Sequence, residues 1–291
     1  MNKETFELGG GKPRPQYQPR ALKCSNCDSP ISLYSERTQL IICDACSMRL
    51  DCSEAELKAL GKETNPSTFS LSIDQNFVWN NHKYKIIGAL RSKNSWGEYT
   101  ENYLLFHPFK GTLWAAKYTD EDGVVEFFIS TRTRIVPQED VFSQREGTRI
   151  TTADGKKWKR KESYTETITE VMGALPWIAK VGDVSNVVEL VSTSHNRQIL
   201  EAEQSQESKE IEYFISLRLS SRQFYTAMGM SPAQVRQAFP NANLAKNTNN
   251  TILILFFFFI FFSPIMGNCG SGGGSYSSGR SYSGGGFSGG K

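Results

Sequence analysis

Two pairs of cysteines constrain this chain more than any other feature. Cys24 and Cys27 form one Cys-x-x-Cys turn and Cys43 and Cys46 form a second, with residues 28 to 42 between them. Such a turn sets two thiolates side by side, and a tetrahedral zinc ion needs four ligands converging at about 2.3 Å. Two turns at this separation are the pattern of a four-cysteine zinc site. The segments Ile31–Tyr34 and Thr38–Ile42 are expected to pair as a hairpin around Ser35-Glu36-Arg37, folding the second turn back over the first. Four thiolates fill the coordination shell, so the expected Zn2+ is structural rather than catalytic. Zinc ribbons often carry glycine after the second cysteine, where the chain turns left-handed. Asp28 and Ser47 stand there instead, and Asp tolerates that conformation. Cys52, a fifth thiol nearby, reads as a small buried apolar residue.

Five of the six cysteines crowd between positions 24 and 52, and Met1–Gly10 has no apolar run after a basic start. That start is not a secretory signal. Clustered thiols in a reducing compartment read as metal ligands rather than disulfides, which places this end of the chain in the cytoplasm as an expectation. The net charge of +3 over 291 residues is small, and Lys23 and Arg37 near the cysteines are offset by Asp28, Glu36 and Asp44. The basic footprint of a nucleic-acid surface is missing, so nucleic acid is not an expected partner.

Residues 1–23, with Gly9-Gly10-Gly11 and three prolines, read as a flexible arm. Lys12 after the glycines is followed by Pro13, which excludes a phosphate-binding loop. Residues 24–61 are the ribbon and an exit helix, signposted by a capping box, Ser53 with Glu56, and a glycine stop, Gly61. A linker around Pro66 leads to a β domain over 69–230. Its strands are expected at Val78-Trp79, Tyr84–Leu90, Thr112–Thr119, Val124–Thr131, Arg149–Thr152, Lys157–Val171, Val187–Ser192, Gln198–Glu203 and Lys209–Leu219. Turns at Asn80-Asn81, Asp120 to Gly123 and Asp154-Gly155 separate several of them. Short strands without intervening helices argue an antiparallel barrel or bent sandwich, closed by short helices at Ser221–Met228 and from Ser231.

Beyond an Asn-rich spacer, residues 251–266 are nearly all apolar. Sixteen helical residues span about 24 Å, short for a hydrocarbon core of about 30 Å. The eleven Ile, Leu and Phe residues of 252–262 nevertheless favour insertion by roughly 3 to 7 kcal/mol. The segment is therefore expected to be a single transmembrane helix contacting lipid, followed by a disordered Gly/Ser-rich tail over 267–291.

No catalytic pattern is visible. His82, His107 and His195 each stand alone in the sequence, with no nucleophile elbow or paired-histidine motif around them. The densest basic run is Lys156 to Lys161. On a strand, Lys157, Lys159 and Lys161 share one face while Trp158 and Arg160 share the other. A solvated strand guarded by lysines is the plain meaning; a patch for an anionic ligand is the sharper one.

Several phrases of the β domain resemble the bacterial domain of unknown function 4178. They are Tyr84-Lys-Ile-Ile-Gly88, Trp96-Gly-Glu-Tyr99, Tyr103-Leu-Leu105 and Trp114, then Glu166–Leu175, Pro176-Trp177 and Lys180-Val-Gly-Asp183. The resemblance covers about residues 70–230 and implies an architecture and a bacterial origin, not a reaction. The expectation is thus a membrane-anchored, non-enzymatic binding or scaffold protein with an unknown protein partner. Its ribbon and β domain would be cytoplasmic. The alternatives are an enzyme with a cleft in the β domain and a nucleic-acid-binding ribbon protein.

Overall fold

Each cysteine turn turns out to be the tip of its own hairpin. The computed structural model describes residues 19–54, 56–63, 69–195 and 197–238. Strand β1 (Arg20–Lys23) pairs with β2 (Pro30–Leu33) across the first turn, and β3 (Leu40–Ile42) with β4 (Met48–Asp51) across the second. The expected pairing of 31–34 with 38–42 is not formed. In each turn the leading cysteine donates its N–H to the carbonyl five residues on, Cys24 to Ser29 and Cys43 to Met48, both at 2.9 Å. The strands entering and leaving a turn are thereby joined to each other, and β3 gives its other edge to Ala174 and Leu175 rather than to β2. Residues 20–23 also leave the expected flexible arm, whose first eighteen residues lie outside those described.

The exit helix is replaced as well. The Ser53 N–H and hydroxyl both donate to Asp51 Oδ1, at 2.9 and 2.5 Å, which holds Ser53 to the residue behind it. Lys58–Lys62 then forms strand β5 against β4. Gly61, expected as a helix stop, has φ +112° beside a register shift in that pair, where it serves a bulge instead.

Downstream, the hairpin signals hold. β6 (Asn76–Trp79) and β7 (His82–Asn94) are joined by Asn80 and Asn81, both at positive φ as a type I′ turn requires. β8 (Tyr99–His107), β9 (Gly111–Thr119) and β10 (Val125–Arg132) follow as a meander. Asp120 Oδ1 accepts from the N–H groups of Asp122 and Val124, tightening the turn before β10. After a long excursion come β11 (Arg149–Thr151), β12 (Lys157–Leu175), β13 (Val184–Ser192), β14 (Gln198–Ser205) and β15 (Ile211–Leu219). The order β7-β8-β9-β10-β15-β14-β13-β12 closes through pairing of β12 with β7, giving an eight-stranded antiparallel barrel rather than a sandwich.

Closure depends on two glycines that are partners across the seam, Gly88 and Gly173. A Cβ on Gly88 would overlap the Ala174 carbonyl, and one on Gly173 would lie 2.5 Å from the Ile87 carbonyl. Gly173 also sits at φ +67°, a conformation that L side chains rarely adopt. Register shifts flank the crossing, at Ile86/Gly88 and Ile168/Glu170, and bend both strands into the curve.

Two apolar layers cover the outside of the barrel. Helix α1 (Ser221–Ala227) starts with a capping box of Ser220 and Gln223, and its Phe224 stacks on Phe127 at 4.3 Å over a cluster that includes Phe77, Tyr103 and Leu105. Val141, Ile150 and Trp158 cover Val188, Leu190, Leu200 and Ala202 on the other side. Helix α2 (Pro232–Ala238) ends the described chain. The expected transmembrane segment 251–266 and the tail 267–291 lie outside the described residues. Among those described, no helix is long and apolar enough to cross a membrane.

Candidate functional site

The two hairpin tips bring Cys24, Cys27, Cys43 and Cys46 together. Their sulfurs all lie within 4.8 Å of one another, with Cys24 to Cys46 and Cys27 to Cys43 both at 3.7 Å. Sulfurs about 2.3 Å from a tetrahedral zinc stand about 3.8 Å apart, whereas a disulfide needs about 2.05 Å. The arrangement is a cage that can hold a metal ion, and the cysteines are free thiols. Both turns are built alike. Asp28 and Ser47, at φ 59° and 57°, take the left-handed position and donate their N–H to the carbonyls of Cys24 and Cys43. The Asn26 N–H also points at the Cys24 sulfur, at 3.4 Å.

The thiols differ in environment. Hydrogen bonds from Ser29 lower the pKa of exposed Cys27 to about 6, while burial pushes Cys43 up to about 12. A metal ion between them removes the conflict, because a coordinating thiol is deprotonated outright. Cys52 is buried beside the cluster, outside the cage, with its sulfur on the Leu50 carbonyl and its pKa raised by burial to about 11. It is the apolar filler its position suggested.

A second candidate was not foreseen in the sequence: the barrel interior. Residues directly opposed on neighbouring strands share a face. Glu162 opposes Glu189, Glu189 opposes Glu201, and Tyr164 opposes Val187, which opposes Glu203. The Tyr118 hydroxyl on β9 feels the charges of Glu162 and Glu189, which, with burial and a bond to Glu98, raise its pKa. Glu189 on β13 lies four strands from β9 whichever way round the barrel is followed. Only a path across the lumen connects them, so this face is the inner one.

Hydroxyl groups are the main hydrogen-bonding partners of these acids. Ser92 and Thr100 bond Glu166, Ser216 bonds Glu201 and in turn meets Ser130 at 2.7 Å, and Ser185 bonds Glu203. Among the described residues, Glu166, Glu201 and Glu203 have no ion-pair partner. All three are half-buried rather than sealed, so solvent reaches the interior. On each strand the acids lie an even number of residues apart, 162 with 166 and 201 with 203, so each pair shares one face. Closure of the sheet turns that face inward.

The lysines behave as their alternation suggested. Lys157, Lys159 and Lys161 are exposed, while Trp158 and Arg160 are buried. Lys161 falls at the register shift between Arg160 and Glu162, and it pairs with Glu162 and, at 3.0 Å, Glu189. This part of β12 is not a sheet edge, because β11 and β13 flank it. The histidines are not all solitary: the rings of His82 and His107 meet at 5.2 Å, beside Tyr84 and Phe109. His107 Nδ1 accepts the N–H groups of Phe109 and Lys110, and burial and His82 lower its pKa. No third ligand joins the pair among the described residues. Comparisons of the chain with protein-family models, curated proteins and solved structures found no match.

The interior acids set a pH dependence. Burial and the neighbouring charges of Glu189, Glu166 and Glu203 raise Glu201 to about 8, and burial and Glu166 raise Glu203 to about 7, from an ordinary 4.5. The folded state then holds protons that the unfolded chain releases, so stability is greatest below pH 4.5 for these groups and falls as pH rises to about 8. Urea midpoints should drop between pH 5 and pH 8. Glu201→Gln, which mimics the protonated acid, should match the native chain at pH 5 and exceed it at pH 8 by on the order of a few kcal/mol.

Proposed function

We propose that this chain is a non-catalytic binding protein with a zinc-stabilised ribbon, and that its barrel interior receives a small ligand carrying positive charge. The observation that carries this reading is the solvent-reached interior lined by Glu166, Glu201 and Glu203 without cationic partners. An eight-stranded barrel is wide enough either to be filled by side chains or to hold one small ligand. Carboxylates removed from water without a counter-charge take up protons or attract a cation. Tyr164 packs against half-exposed Trp96 with the rings tilted and 5.1 Å apart, adding aromatic surfaces of the kind that attract organic cations. Scattered hydroxyls and acids without a nucleophile-base pair support binding over catalysis.

The reading includes zinc as the ion of the four-cysteine cage, supported by tetrahedral spacing and all-sulfur ligands. It also includes a membrane tether at 251–266, supported by the apolar composition of that segment.

Three outcomes test these parts. Spermidine or choline should raise the melting temperature saturably, and Glu201→Gln with Glu203→Gln should weaken the effect about tenfold, or about 1.4 kcal/mol; equal shifts in both proteins would reject the interior site. Purified full-length chain should contain one zinc by elemental mass spectrometry, and Cys43→Ser should lose it. Full-length chain should sediment with membranes while a chain ending at Asn250 stays in the supernatant; identical partitioning would reject the tether.

A further inference from the structure

We infer that the metal-bound ribbon is a stopper for one mouth of the barrel, so that metal loss opens this end while the barrel wall stays closed. The inference rests on the metal reading of the cysteine cage. β3 extends the barrel sheet by pairing with the end of β12, Leu40 opposite Leu175 and Ile41 opposite Ala174. The Gln39 N–H donates to the Leu175 carbonyl at 2.9 Å, and Arg49 Nη2 to the Ala179 carbonyl at 2.6 Å.

The side chains at this junction decide what the ribbon covers. Leu90 opposes Val171 across the barrel seam and Asn102 on β8, and Asn102 opposes Ala116 on β9, next but one to Tyr118 on the inner face. By the same alternation Trp114 and Ile168 face inward. These four residues form one cluster with Leu40, Ile42 and Leu60 of the ribbon. Tyr34 closes the next sector, packing at 5.9 Å on Phe106, which clusters with Leu104 and Trp114. The lower end of the lumen is thus apolar, and ribbon side chains form its floor.

The ribbon cannot hold that position by itself. Its strands have three to five residues, and its own core is a handful of small side chains, two cage cysteines among them. Units this small depend on metal for their fold. The barrel wall, by contrast, closes through eight strands and is covered outside by clusters that contain no ribbon residue. Losing the metal therefore removes the floor and spares the wall.

Hydrogen exchange on full-length protein, zinc-loaded and EDTA-stripped, tests this, with elemental analysis of both samples. Stripping should speed exchange across residues 20–54 by at least about tenfold and leave 125–132, 198–205 and 211–219 unchanged. The fluorescence of an apolar dye should rise as the floor opens. The double variant Leu40→Ser and Ile42→Ser should keep its zinc yet show the same dye response. If zinc is present but stripping changes neither exchange nor dye, or loosens wall and ribbon alike, the stopper fails and the metal reading survives. A purified protein without metal overturns both.

Discussion

The strand Lys157–Leu175 belongs to two structures at once, and most of the molecule follows from that. Its first residues pair with β11, its middle with β13 and β7, and its last two with β3 of the ribbon. Nineteen residues at about 3.3 Å each would reach about 60 Å if straight, far more than the barrel needs. Register shifts after Arg160 and Ile168 bend it, and Gly173 lets it cross Gly88 at backbone distance. A side chain at either glycine would hold the strands apart. Barrel closure and ribbon docking would then fail together, because β3 attaches immediately beyond the crossing.

Apolar burial is arranged around that strand in an unusual sense. Two apolar clusters lie outside the barrel, under α1 and β6 on one flank and under the excursion before β11 on the other. Burying side chains such as Trp158, Phe127 and Phe224 contributes roughly 1.5–3 kcal/mol each. With stability supplied from outside, the upper interior is free to be polar. The same outer layers set the cost of that freedom: the acids within lose solvation and crowd one another, so Glu201 and Glu203 hold protons far above the ordinary carboxylate range.

Local chemistry was legible in the sequence wherever a short stretch determines its own geometry. The Cys-x-x-Cys turns, the Asn80-Asn81 and Asp120–Gly123 turns, the lysine alternation and the Ser221 start of α1 all depend on neighbours within a few residues. Errors arose where a remote strand competed for the same backbone. Ser53 to Gly61 satisfies every local rule for a helix, yet β4 offers Lys58–Lys62 a ladder, and the ladder prevails. Ile31–Tyr34 looked ready to pair with Thr38–Ile42, but the cysteine turns and β12 claim those strands first. The interior acids illustrate the deeper limit. Glu201 and Glu203, two residues apart on β14, show that one face is polar, and only closure of the sheet decides whether that face is outside or in.

The two regions also resolve their electrostatic strain in opposite ways. In the lumen, the crowding of Glu201 and Glu203, which have no ion-pair partner among the described residues, is relieved by protons that come and go near neutral pH. In the cage, Cys27 ionises near pH 6 while Cys43, 3.7 Å away, retains its proton to about pH 12, so a thiolate and a thiol lie side by side across the neutral range. A divalent cation supplies what protons cannot: it ionises all four sulfurs and attracts each to the centre. One left-handed residue shapes each turn, Asp28 and Ser47, and backbone N–H groups of Asn26, Ser29, Ala45 and Cys46 reach the sulfurs of Cys24, Cys27 and Cys43. A metal ion held there would tie the two hairpin tips into one unit, which joins the barrel sheet through β12.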